Sequence, residues 1–152
     1  MHDLVIIGGG PGGYVAAIRG AQQGLKTVVV EKNTVGGTCL NRGCIPTKSF
    51  IYDSKLFKAA TSSPILKGAA KLSLDAAKMV ERKRKVVKTL VDGLGKILKS
   101  HRIEVLQGEG HLEAPGKVRV VEGNGSSQVA EARHVILANG SRPAVPPFID
   151  VD

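Results

Sequence analysis

An apolar run that ends in three glycines and restarts as a helix leaves a chain few ways to fold. Residues 4–31 read LVIIGGGPGGYVAAIRGAQQGLKTVVVE. Leu4–Ile7 is short and wholly apolar, as a strand buried on both faces should be. Residues 14–23 take helical spacing, and Gly24 stands where a helix C-terminus is expected. Thr27–Val30 is β-branched and ends in Glu31, which suits a second buried strand. These patterns predict one βαβ unit over residues 3–31.

Gly8, Gly10 and Gly13 fit the spacing G-x-G-x-x-G, with Gly9, Pro11 and Gly12 between them. Alone, that spacing is common in a chain with 19 glycines, and a ligand-free turn is the plain alternative. The strand before it, the helix after it and Glu31 at the end of the next strand make it specific. One glycine permits the tight turn, the second lets a pyrophosphate approach the backbone, and the third lets helix and strand pack closely. The helix start offers free N–H groups and partial positive charge to the phosphates. Glu31 would accept hydrogen bonds from a ribose, and its charge disfavours a 2′-phosphate. A bound dinucleotide is the expectation, and the loop by itself does not separate FAD from NAD.

Beyond this unit the pattern alternates helix and strand. Helical spacing runs to about Ala60, a Ser/Pro/Gly-bearing loop covers 61–68, and a long helix is expected over 73–100. Residues 78–102 carry nine Lys/Arg against two acids within a net charge of +9. Val80, Val87, Leu90, Val91, Leu94, Ile97 and Leu98 form an apolar stripe on the same helix, so the charges are expected on a solvated face. IEVLQG reads as a third strand, residues 111–132 as an antiparallel meander, and His134–Ala138 as an apolar central strand leading to a proline-rich exit through 152. Aromatic residues make up 3% of the chain and Trp is absent, which leaves little for stacking single-stranded nucleic acid. No run reaches the roughly 18 apolar residues of a membrane span. No leader pattern precedes Leu4, so a cytoplasmic location is expected.

Both cysteines lie in GGTCLNRGCIPTK, Gly36 to Lys48. On a straight helix residues five apart are separated by about 7.5 Å along the axis. A disulfide wants Cα atoms within about 7 Å. Cys39 and Cys44 could therefore bridge only if the backbone bends, and Gly36, Gly37, Gly43 and Pro46 permit that. A metal would need about four ligands. The four histidines, His2, His101, His111 and His134, are scattered, so no metal is expected. Inert thiols and a redox pair remain, and the redox pair is the sharper reading. A helix start would favour a thiolate there.

The motif resembles the redox signature of the class I pyridine nucleotide-disulfide oxidoreductases. Leu-Asn-Arg-Gly between the cysteines and Ile-Pro-Thr-Lys after them are most similar to the dihydrolipoyl dehydrogenase branch. Glutathione and mercuric reductases, the nearer rivals, usually carry Val-Asn after the first cysteine. A non-catalytic nucleotide-binding module is the alternative from another class. The resemblance implies an α/β, Rossmann-like FAD/NAD(P)-binding fold in three layers: antiparallel meander, parallel sheet and helices. It implies FAD as cofactor, with Gly8, Gly10, Pro11, Gly13, Glu31 and Lys32 around its ADP half. Gly37, Thr38, Cys39 and Lys48 would line the ribityl chain and flavin, and Gly110 would meet adenine through its backbone. Ala138, Asn139 and Gly140 correspond to a usual Ala-Thr-Gly beside FAD, with Asn139 in place of the Thr. Cys44 matches the sulfur beside the flavin and Cys39 the sulfur that exchanges with a dihydrolipoyl group of an acyltransferase or carrier protein. By the same resemblance, a redox-cysteine helix spans 37–60. Residues 1–152 correspond to the first part of an FAD domain, its last parallel strand missing, with the NAD domain and the dimer-interface domain of a homodimer absent. None of the four histidines matches the family's catalytic base, so this portion is not expected to turn over by itself.

Overall fold

The computed structural model describes residues 1–150; the last two residues of the expected exit, 151–152, lie outside the described part. Strand β1 (His2–Ile7), helix α1 (Pro11–Gln22) and strand β2 (Thr27–Glu31) form the βαβ unit, with β1 and β2 parallel from Leu4↔Thr27 to Ile7↔Val30. Helices α2 (Gly37–Asn41), α3 (Cys44–Thr61) and α4 (Ala76–Ser100) follow, then strands β3 (Glu104–Gln107), β4 (Glu109–Ala114), β5 (Lys117–Val121) and β6 (Ser127–Leu137). The strand order is β3-β2-β1-β6-β5-β4, parallel through β6 and antiparallel beyond it.

The two-residue period of the strands builds two cores. Val5, Ile7, Val28 and Val30 face one side and pack on Val118, Val120, Ala130 and Ala132 of the meander. Leu4, Ile6 and Val29 face the other side, against Ala17, Leu94, Leu98 and Ile103 from the helices. Meander, parallel sheet and helices are thus three layers, as expected. Val5, Ile6, Val28 and Val29 are fully buried. Each such side chain contributes about 1.5–3 kcal/mol by burial.

Three boundaries differ from expectation. The redox-cysteine helix of 37–60 is two helices, broken at Arg42 and Gly43, where both N–H groups turn back to the Thr38 carbonyl at 2.9 and 2.7 Å. Helix α4 starts at Ala76 rather than 73 because Asp75 caps it, its carboxylate accepting the Lys78 N–H at 3.0 Å. Its Leu94 and Leu98 are buried while Lys78, Lys85, Lys88, Lys96 and Lys99 are exposed, as expected of a solvated basic face, but Leu90 and Ile97 of the expected apolar stripe are exposed as well. Finally, the last meander strand and the central strand expected from His134 are one continuous strand, β6. Its first half pairs with β5 and its second half with β1. No turn residue interrupts Ser127–Leu137, so the chain passes from one layer into the other by bending. The change from alternating to continuous apolar pattern near Arg133 marks a change of neighbours, not an end. Beyond Glu131 the side of β6 away from β1 has no ladder partner among the described residues, and Ile136 and Leu137 are exposed.

Candidate functional site

A cavity of about 410 Å³ opens at the C-terminal ends of β1, β2 and β6. Crevices beyond the carboxyl ends of parallel strands are where open α/β sheets take ligands. Of the residues singled out in the sequence, Gly8, Glu31, Lys32, Gly110, Asn139 and Gly140 line it. Gly110 sits so close over the sheet that an added Cβ would meet Ile7 and Val30 at 3.1 Å. Ala138 stands behind the cavity instead, its carbonyl against Gly8 and its N–H bonded to the Ile7 carbonyl at 2.8 Å.

Glu31 ends β2 with both carboxylate oxygens engaged. Oε2 accepts the Gly9 N–H and Oε1 the Asn33 N–H, each at 2.8 Å. A carboxylate has about four lone-pair sites, so two remain for hydroxyl donors. Lys32 does not point free into the cavity: its Nζ pairs with Glu109 Oε1 at 3.3 Å across the mouth. Helix α1 begins with Pro11, whose missing N–H removes one orphan donor, and no acidic side chain lies in its first turn. The N–H groups of that turn remain available to an anion. An ADP moiety fits these groups: acceptors at the ribose end, donors and partial positive charge at the phosphate end.

The cysteine segment is docked on this loop. The Gly36 N–H donates to the Gly9 carbonyl at 2.7 Å. Gly37, at φ +57°, lies so close to the loop that a Cβ would come within 2.6 Å of Gly10 Cα. Neither position has room for a side chain, and Gly37 has a backbone L-residues rarely adopt. Gly10, Pro11, Gly13, Gly37, Thr38 and Cys39 are thereby gathered at the start of α1 and in α2. Asn41 was not singled out in the sequence, although it stands inside the motif. Its Nδ2 donates to the carbonyls of Val35 at 3.2 Å and Gly37 at 3.0 Å, pinning α2 to the approaching loop. His111 and Arg142 also line the cavity and were not foreseen as site residues, because neither belongs to a local pattern.

The break between α2 and α3 brings the thiols together. Cys39 is half-buried, with the Cys44 thiol and backbone N–H as its electrostatic neighbours. Both are free thiols, and Cys44 is exposed. The thiol–thiol hydrogen bond pushes Cys39 above its ordinary pKa; desolvation and the Cys44 charge add to this. Lys48, one turn into α3, and the Cys44 N–H oppose it without reversing it. A thiolate favoured by the helix start is therefore not what the neighbours of Cys39 produce while Cys44 is reduced. Labelling of Cys39 by iodoacetamide is expected to reach half its maximal rate above the ordinary thiol pH. Cys44→Ala removes the largest cause, so the half-point should move down. Labelling rates by mass spectrometry from neutral to alkaline pH check this, and one half-point for both proteins would contradict it.

Known proteins place this architecture. The dihydrolipoyl dehydrogenase of Trypanosoma brucei brucei is 41% identical over 99% of this chain and 32% of its own length. That of Acholeplasma laidlawii is 43% identical over 97% of this chain and 43% of its own. The mitochondrial dihydrolipoyl dehydrogenase of Caenorhabditis elegans is 42% identical, over 99% and 31%. This chain thus spans about a third to two-fifths of the length of these relatives. Among solved structures, the HOCl-induced flavoprotein disulfide reductase RclA from Escherichia coli, as its Cu(II) complex, superposes with a TM-score of 0.80 at 26% identity, over 96% of this chain and 30% of that one. FAD is the cofactor these relationships imply. The profile of the pyridine nucleotide-disulphide oxidoreductases matches residues 2–152, and the chain belongs to that family.

Proposed function

We propose that this chain is the FAD-binding, dithiol-bearing part of a dihydrolipoyl dehydrogenase. The observation that carries the reading is the docking of the Cys39 helix onto the glycine loop through Gly36–Gly9 and Gly37–Gly10, which puts a dithiol beside a dinucleotide site. Glu31 and the start of α1 hold the ADP half. In the oxidised state a dihydrolipoyl thiolate attacks Cys39 Sγ; the S–S bond breaks and Cys44 leaves as a thiolate. The second lipoyl thiol, losing its proton, then attacks the sulfur bonded to Cys39. The lipoyl disulfide closes and the pair is left reduced by two electrons. The Lys48 charge favours the anionic form of Cys39 once the lipoyl disulfide has left it. Bound FAD supplies the two-electron acceptor that restores the disulfide, and NAD takes the electrons onward in the whole enzyme. The exposed Cys44 is the sulfur a flavin ring would cover.

The substrate assignment rests on the identities near 40% to dihydrolipoyl dehydrogenases and on Leu-Asn-Arg-Gly between the cysteines. The test uses the oxidised chain after gel filtration with FAD. Retained yellow flavin and a disulfide that dihydrolipoamide opens faster than dithiothreitol are expected. Thiol counting by mass spectrometry reads the rate. Equal rates with the two dithiols would sink the lipoyl assignment, and loss of all flavin on the column would sink FAD binding by this chain.

A further inference from the structure

The two thiols sit on two helices that are anchored by different means. Helix α2 is pinned to the glycine loop through Asn41, Gly36 and Gly37. Helix α3, which carries Cys44 at its first position, has little apolar anchorage. Of its 18 residues only Pro46 and Ser49 are buried. Its Ile51, Tyr52 and Leu56 are 46%, 58% and 60% exposed.

Ile45, Phe50 and Phe57 of α3 are half-buried, and its polar ties to α4 come from one residue, Arg82. Arg82 Nη1 donates to Ser49 Oγ at 3.1 Å and pairs with Asp53 Oδ1 at 3.0 Å. Its guanidinium carbon lies 4.8 Å from the centroid of the Tyr52 ring. A planar guanidinium can hold a hydroxyl and a carboxylate while stacking on a ring; an ammonium cannot do all three. The Asp53 carboxylate is 12% exposed; Arg82 holds its Oδ1, and its buried Oδ2 has no hydrogen-bond partner among the described residues. Without Arg82 a nearly buried negative charge would be left alone, which forces α3 to move. Helix α4 is itself fixed through Leu94 and Leu98 in the core.

We propose that Arg82 is a positioning residue for the dithiol: by gripping Ser49 and Asp53 it sets how α3 lies, and so how Cys44 meets Cys39. Ser49 is five positions after Cys44, about 7.5 Å along the helix axis. A change in the tilt of α3 is therefore delivered directly to the sulfur at its end. Disulfides tolerate a narrow range of Cα separation, and misplacement makes the bond easier to reduce. The inference rests on reading Cys39 and Cys44 as a redox pair.

The test equilibrates the chain with mixtures of oxidised and reduced dithiothreitol. Closing the Cys39–Cys44 bond releases two electrons and two protons, which oxidised dithiothreitol takes up as its two thiols. Acid quenching, alkylation and mass spectrometry give the equilibrium constant, with thermal unfolding followed in parallel. In Arg82→Ala the disulfide should be disfavoured roughly tenfold, the lower end of what a hydrogen bond to a charged group contributes, with Arg82→Lys between it and the unaltered chain. Lys85→Ala, one turn away on the exposed face, should leave the constant unchanged. A purely structural role lowers the unfolding temperature without moving the constant, so a folded Arg82→Ala within twofold of the unaltered chain overturns the proposal. If Arg82→Ala does not fold, Ser49→Ala decides: removing that one contact should shift the constant by about threefold, within the usual range for one hydrogen bond. No shift overturns the proposal. An unaltered chain that forms no disulfide overturns the redox reading with it; a disulfide that forms and ignores Arg82 overturns the positioning role alone.

Discussion

Gly13→Ala is expected to destabilise the fold by about 3 kcal/mol or more, at the upper end of overpacking costs, and to abolish FAD retention. The added Cβ would fall on the Gly8 carbonyl oxygen, well inside van der Waals contact, with Ile6 Cγ2 at 3.4 Å behind it. A backbone carbonyl cannot rotate away as a side chain can. Relief requires α1 to back off β1, which opens the core around Ile6 and moves the helix start from the phosphate position. Gly12→Ala, one residue earlier, is the control. Its Cβ would lie 3.9 Å from Ala138 Cβ, an ordinary contact, and alanine in a helix gains up to about 1 kcal/mol over glycine. Urea midpoints and flavin retained after gel filtration separate the two. A Gly13→Ala protein matching the unaltered one in both would show that α1 has slack the packing does not suggest.

Glu31→Ala is expected to weaken FAD binding by about 1.5–3 kcal/mol, the range for hydrogen bonds to a charged group. That is roughly ten- to hundredfold in Kd. The loss has two sources. The ribose loses its acceptor, and the N–H groups of Gly9 and Asn33 lose theirs, so the glycine loop is no longer tied to the end of β2. Thermal unfolding without FAD reads the second source, and calorimetric Kd values read both. Glu31→Gln keeps one carbonyl acceptor and should fall between. An unchanged Kd in Glu31→Ala would remove Glu31 from the ribose, whatever happened to the unfolding temperature.

The βαβ unit was legible in the sequence because every signal for it is local. Leu4–Ile7 and Thr27–Val30 are strand-like by composition, the glycines have fixed spacing, and Glu31 follows at a set distance. The approach of the two cysteines was legible for the same reason: both thiols lie in one short segment with the residues that bend it. The continuity of β6 was not legible. Ala130 pairs with Val118 of β5 while Val135 and Ile136 pair with Val5 and Ile6 of β1, and a strand that changes neighbours midway shows two patterns that look like two elements.

The sequence by itself determined the βαβ unit, the glycine loop and the pairing of the two thiols in one segment, since propensity, glycine spacing and side-chain chemistry act within a few residues. Only the tertiary structure decided how those groups are set. Glu31 holds Gly9 across 22 positions, Gly37 abuts Gly10, and Arg82 reaches Ser49 across 33. The upward shift of Cys39 likewise depends on where the broken helix puts the Cys44 thiol. These are contacts between residues that no local pattern relates. They exist because burying the two faces of one sheet brings the start of α1, α2 and α3, and the end of β2, to the same edge of the molecule.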